Sequence, residues 1–191
     1  MPEIRPRLAE LLAYMDETRA MLMQTAIQVN PAFASVRPRS GAWSAAENLA
    51  HLAKVEEGVA RLVERSVQWA RSHGIGPEQS DESIMASLDS FRMTEPVRKT
   101  IAPEMVAPDA NVPMDQSLAS LSGSRQRLRD ALVSGADLDL SAVKRQHASV
   151  GELDMYQWAL FVAQHEERHR KQIDRTMNEV TERAAECAPI V

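Results

Sequence analysis

Apolar residues in this chain return every three to four positions over four long stretches, the spacing that lines one face of an α-helix, and strand-type runs are few. The first stretch carries Leu8, Leu11, Leu12, Met15, Thr18, Leu22 and Ile27; it opens near Pro6, which suits a helix start, and Asn30-Pro31 ends it. The second carries Leu49, Leu52, Val55, Val59, Leu62 and Val63 to about Ser72, where Gly74 and Gly76 stop it. The third starts near Asp115 and carries Leu118, Leu121, Leu128, Ala131 and Leu132 up to Gly135. Gly123 in its middle costs about 1 kcal/mol relative to Ala, so close packing is expected there. The fourth carries Trp158, Phe161, Val162, Ile173, Met177 and Val180 to about Arg183. Aromatics make up only 4% of the chain while Ala and Met are plentiful, which also favours helix over sheet. The fold class is therefore all-α, a four-helix bundle.

Two helix starts are written locally. Ser44 can accept from the backbone N–H of Glu47 while Glu47 reaches back to that of Ser44, a capping box, with Trp43 packing as the apolar residue before the cap. Asp154 and Gln157 repeat the arrangement before the fourth helix. Residues 32–41 form a short polar linker. Residues 74–115 form a long crossover, in which Ser80-Asp81 can cap a short helix over Glu82 to Asp89. Beyond it, Pro96, Pro103, Pro108 and Pro113 exclude a continuous helix or a central strand. Crossovers of this length often wall a site. Residues 137–150, with His147, read as another loop. Two such long connections mean the bundle need not be simple up-down-up-down.

The length of 191 residues suits a single domain over 1–191, with a core at about 5–183 and a frayed tail at 184–191. The net charge of −5 argues against a nucleic-acid partner, and the basic run Arg125 to Arg129 reads as a solvated helix face. Cys187 is the single cysteine, so no internal disulfide forms, which fits a cytoplasmic protein. No apolar run approaches the ~18–20 residues of a membrane span, and the basic N-terminus lacks an apolar stretch after it. Helix faces rich in Met and Ala allow a homodimer.

The histidines carry the chemistry. His165 and His169 sit four apart on the fourth helix, with Cβ atoms about 5–6 Å apart, close enough for both imidazoles to reach one ion. The pair alone is often incidental. His51, two turns inside the second helix on a face shared with Leu52, Val55 and Val59, offers a third ligand. Three neutral imidazoles leave an open position on a divalent ion, zinc, nickel or iron, and such an ion can activate a water or a thiol near neutral pH. Glu47, four residues before His51, serves either the cap alone or also as an acceptor for His51 or a proton shuttle. Gln172 can hydrogen-bond a ligand histidine. Glu166 and Glu167 read as solvent-facing, with Glu166 pairing to Arg170. His73 reads as exposed or as a partner of a helix C-terminus, and His147 as a surface or substrate-side residue.

Trp43-Ser44-x-x-Glu47-x-x-x-His51-Leu52, with His165-x-x-x-His169-x-x-Gln172-Ile173 far downstream, resembles the DinB-like superfamily, including its YfiT-like metal-dependent hydrolases. The resemblance spans roughly residues 5–180. It implies a bundle with an unusual connection order and a divalent metal held by His51, His165 and His169 in a pocket at one end. It also implies chemistry on a small-molecule substrate, by hydrolysis or by transfer of a low-molecular-weight thiol. Asn48, where many members have an aliphatic residue, and Lys54, near where many carry an acid, depart from the pattern. The sequence thus points to a metal-dependent enzyme that activates water or a small thiol against an electrophile. The alternative is a non-catalytic bundle for stress responses or interactions, with a structural or vestigial metal site.

Overall fold

A computed structural model describes residues 4–95, 102–109 and 112–186. Four helices dominate it: α1 (Pro6–Gln28), α2 (Ala45–Ser72), α3 (Met114–Ser134) and α4 (Met155–Glu186). Both capping arrangements are present. Ser44 Oγ accepts from the N–H of Glu47 at 3.2 Å, and the N–H of Ser44 donates to Glu47 Oε2 at 2.9 Å. The N–H of Gln157 donates to Asp154 Oδ1 at 2.8 Å, and the N–H of Asp154 to Gln157 Oε1 at 3.1 Å.

Polar pairings between helices give their directions. Glu56 meets Ser124 and Arg125, and further along Arg71 meets Asp137, so α2 and α3 run parallel. Arg7 lies over the ring of Tyr156 and Thr18 bonds Glu166, so α1 and α4 also run parallel. His51 faces His165 while Asn48 faces His169, so α2 opposes α4. Arg19 reaches the Leu121 carbonyl and Arg129 reaches Asp16, so α1 opposes α3. The order is up, down, down, up. The parallel step from α2 to α3 requires a connection that travels back along the bundle, which is why the proline-punctuated crossover is long.

The interior falls into two apolar halves. One holds Leu8 to Met15, Val59 to Val67, Leu128 to Leu132 and Met155 to Ala163; the other holds Leu22, Ala26, Leu49, Leu52, Leu121 and Ile173. Between them each helix contributes one charged residue: Arg19, Glu56, Arg125 and Glu166. These close a ring. Arg19 bonds Glu56 at 2.6 Å and Glu166 at 2.5 Å, and Arg125 bonds the same two carboxylates at 2.6 and 2.8 Å. Thr18 and Ser124 donate to the carboxylates, and the guanidinium groups also donate to the carbonyls of Leu121 and Met15. Thus Glu166 is 2% exposed and pairs with two arginines rather than with Arg170, which bonds Asp174 instead. Arg125 is likewise removed from the solvated face expected for residues 125–129; a paired, hydrogen-bonded charge tolerates burial where a lone one does not.

Other expectations are corrected. Residues 144–154 form a hairpin, β1 (Lys144–His147) against β2 (Gly151–Asp154), where a loop was expected. Gly151, at φ +87, supplies the left-handed backbone at its turn. The short helix expected over 82–89 is a series of turns ending in a 3-10 turn at Asp89–Phe91, although Ile84 and Leu88 are buried as core residues. Ile27 is 81% exposed, and Ala26 and Val29 fill the interior in its place. A Cβ on Gly123 would meet nothing within 4 Å; the close approach is at Gly135, where one would lie 2.9 Å from Val67 Cγ2. Helix α4 ends at Glu186, close to the expected end at about Arg183, while Pro96 and Cys187 lie outside the described residues. Among the described residues, no helix is long and apolar enough to cross a membrane.

Candidate metal centre

The cap at Ser44 starts α2 so that Asn48, His51 and Lys54 follow at three-residue steps, and the box before α4 starts the helix on which His165 and His169 stand four apart. The three expected histidines converge. His51 Nε2 lies 3.4 Å from His165 Nε2, which lies 3.1 Å from His169 Nε2, and the three candidate ligand atoms all fall within 4.8 Å of one another. Two bonds of about 2.0–2.1 Å at a tetrahedral angle set donor nitrogens about 3.3 Å apart, so the spacings of His165 to His51 and to His169 fit a shared metal ion. His51 and His169 are buried, and His165 retains partial exposure.

Two of the three lone pairs are fixed by what binds the far side of each ring. His51 Nδ1 lies 2.7 Å from the carbonyl of Val106. A carbonyl only accepts, so Nδ1 carries the proton and Nε2 presents its lone pair. His169 Nδ1 lies 2.7 Å from Asn48 Oδ1. The orientation of Asn48 is set in turn, because its Nδ2 donates to the carbonyls of Ser44 at 2.9 Å and Trp43 at 3.3 Å. His169 Nδ1 therefore donates as well. Two unshared lone pairs, each close to the same nitrogen of a third imidazole, call for a proton or a cation.

The charge state agrees. Burial, then the neighbouring imidazoles, then Arg168 push His169 well below the ordinary histidine value. His165 is pushed the same way by burial, His51, Arg168 and His147. Burial also lowers His51, against the opposing effect of its bond to Val106 and with a contribution from Lys54. All three are neutral near pH 7, the form that ligates a metal.

Rings enclose the cluster. Trp43 has its centroid 4.8 Å from His51 and 6.1 Å from His169, so it packs on the imidazoles rather than acting only as a staple ahead of the cap. Phe161 stacks on His165 at 5.2 Å, and His147 and Trp158 pack beyond it. On the other side a cavity of about 10 Å³, room for about one water, is lined by His165 together with Arg19, Glu56 and Glu166 of the charged ring. The crossover contributes directly. Besides the Val106 carbonyl, Lys54 Nζ donates to the Ala107 carbonyl and to Asp109 Oδ1, both at 2.8 Å, which holds residues 106–109 against α2.

The remaining expected residues fall as follows. Glu47 bonds Arg37 and the N–H of Ser44, while the Nδ1 of His51 faces Val106. Burial raises Glu47, but the bonds from Arg37 and Ser44 outweigh it and hold the carboxyl below its usual range. His147 takes two backbone N–H groups, of Ser149 and Val150, on Nδ1 and so braces the hairpin turn outside the triad. His73 is exposed at the end of α2 with Nδ1 2.9 Å from the Trp69 carbonyl, as a C-terminal partner should be. The side chain that holds His169 is Asn48 and not Gln172. Its signal in the sequence is a polar residue three positions before His51, on the face that carries Leu49 and Leu52.

Comparison with known proteins bears on the family and the fold. The family model described as DinB superfamily matches residues 14–173. The crystal structure of TT2238, described as a four-helix bundle protein, superposes with a TM-score of 0.58 at 22% identity, covering 87% of this chain and 98% of that one, which supports the fold alone. No curated protein matches the chain.

Proposed function

Because the chain belongs to the DinB superfamily, and because the Nε2 atoms of His51 and His169 both lie close to that of His165, we propose that it is a metal-dependent enzyme. Its site would hold one divalent ion, zinc, nickel or iron. The observation that carries this reading is the pair of lone pairs fixed by Val106 and Asn48. Such an ion lowers the pKa of a water or thiol ligand toward neutrality, supplying a nucleophile for attack on a small electrophile.

The chain's own residues do the rest. Val106 and Asn48 hold two imidazoles in the ligating tautomer. Trp43 and Phe161 wall the cluster with apolar surface and limit the water around it. The partial exposure of His165 leaves a side from which a small molecule approaches. The lone cysteine fits a cytoplasmic setting, in which a low-molecular-weight thiol is available as cosubstrate.

The test is metal analysis of protein purified without added metal or an affinity tag, in parallel with His169→Ala. One equivalent of metal in the native chain and none in the variant is the expected result; one equivalent in both overturns the assignment. Loaded protein should then consume a small thiol, or water, with a model electrophile. A loaded protein that turns over neither is the non-catalytic metal bundle.

A further inference from the structure

A second cavity, of about 200 Å³, opens between residues 88–95 and α4. It is far larger than the ~10–15 Å³ that one water requires. Its wall from the crossover includes Leu88, Asp89, Arg92, Met93 and Glu95, and its wall from α4 is Gln164. Gln164 is 7% exposed, yet among the described residues its Oε1 has no hydrogen-bond partner. A buried carbonyl oxygen left unpaired is unusual, and one that lines a cavity asks for a donor from whatever enters. Gln164 precedes His165 in the chain and belongs to neither the triad nor the groups that orient it.

The cavity is built rather than incidental. Leu88, 1% exposed, roots one wall in the core, and Lys171 Nζ donates to the Thr94 carbonyl at 3.4 Å while pairing with Glu167 at 2.7 Å. Its chemistry is acidic on balance. Two carboxylates, Asp89 and Glu95, stand against one guanidinium, Arg92, which is already bonded to Glu95. Leu88 and Met93 add an apolar patch. An N–H donor, positive charge and a short alkyl body are the complement.

We propose that this cavity binds a small primary amine as its ammonium, an N–H donating to Gln164 Oε1 and the alkyl part lying against Leu88 and Met93. An alkylamine keeps its proton near neutral pH, as the lysine ammonium does with a pKa of ~10.4. The acidic excess of the lining answers the charge. The proposal does not depend on the metal.

The probe is n-butylamine hydrochloride, titrated at neutral pH into the ¹⁵N-labelled full chain, once zinc-loaded and once chelator-treated, with NMR shifts read at the Gln164 side-chain amide and the backbone of 88–95. Saturable shifts with a midpoint on the order of millimolar are expected in both states, as suits so small a ligand. Gln164→Leu should raise the midpoint about tenfold by removing the acceptor. Gln164→Glu, which adds a charge to the acceptor, should lower it about threefold when read at the backbone amides. Absence of saturable shifts, an equal response to 1-butanol or to butyrate, or midpoints unmoved by the variants overturns the proposal. If the leucine variant does not fold, the direction of the glutamate effect decides. Binding to the chelator-treated chain keeps this outcome distinct from that of the metal centre.

Discussion

The Nδ1–H of His169 donates to Asn48 Oδ1 across 2.7 Å, joining α4 to α2 at the floor of the histidine cluster. The same asparagine binds the carbonyls of Trp43 and Ser44 through its amide nitrogen. One side chain therefore ties the tautomer of His169 to the cap that begins the helix carrying His51. Asn48→Leu should weaken zinc binding about 10–100-fold, the usual effect of removing a group that orients a metal ligand. Competition against a chromophoric chelator measures it, with circular dichroism to confirm retained helix. An unchanged affinity would remove Asn48 from the description of the site.

Lys54 carries the neighbouring prediction. Its two bonds to Ala107 and Asp109 hold residues 106–109 beside His51, but it is 32% exposed and Asp109 is 67% exposed. Lys54→Met should cost under about 1 kcal/mol of global stability. It should nevertheless speed amide hydrogen exchange in that segment and hasten loss of bound metal, because His51 depends on the Val106 carbonyl. Exchange at 106–109 equal to that of the native chain would show that the segment is held by other means.

The charged ring predicts an asymmetry. Removing one member leaves buried charges without their partner, so Glu166→Ala should lower stability by about 3–5 kcal/mol in urea unfolding. Replacing all four members together with apolar residues of similar size should be far milder, near neutral or even stabilising by about 1–4 kcal/mol. A single-variant loss below about 1 kcal/mol would contradict the burial of the pairings.

Acid should destabilise the metal-free protein through its histidines. Burial, foremost, depresses His165 and His169 well below their ordinary value near 6.5, so across that window the unfolded chain binds more protons than the folded one. Stability then rises with pH; it is fully present above about pH 6.5 and is lost as pH falls toward the depressed folded-state values. Metal loading should move the acid transition to lower pH, since protons must displace the ion first. Melting curves taken with and without chelator across pH 5 to 7 test this, and a flat profile for the metal-free chain would refute it.

Much of this was legible in the sequence because it is periodic or local. The apolar spacing located the four helices, and the pairs Ser44/Glu47 and Asp154/Gln157 located two of their starts. His51, His165 and His169 were legible as a candidate cluster because each lies in an apolar stripe. The hairpin at 144–154 was hidden because its strands are four residues each and half exposed, too short for alternation to show. Glu166 and Arg170 stand at helical pairing distance, so local electrostatics sufficed to mislead; the real partners, Arg19 and Arg125, come from α1 and α3. A signal was nonetheless present. Each stripe carries a charged residue near its middle, Arg19, Glu56, Arg125 or Glu166, two cations and two anions at similar depth. Asn48 carries the same kind of signal, a polar residue in an apolar stripe that faces another helix.

The charged ring also fixes how far each helix can slide. Sliding one helix by a single turn displaces its member by about 5.4 Å, well past the 2.5–2.8 Å contacts that close the ring. Only one vertical alignment of the four helices satisfies all the pairs at once. His51 lies five positions from Glu56, and His165 is next to Glu166. The height at which these two imidazoles meet across α2 and α4 is thus indexed by a ring of ion pairs set between the two apolar halves.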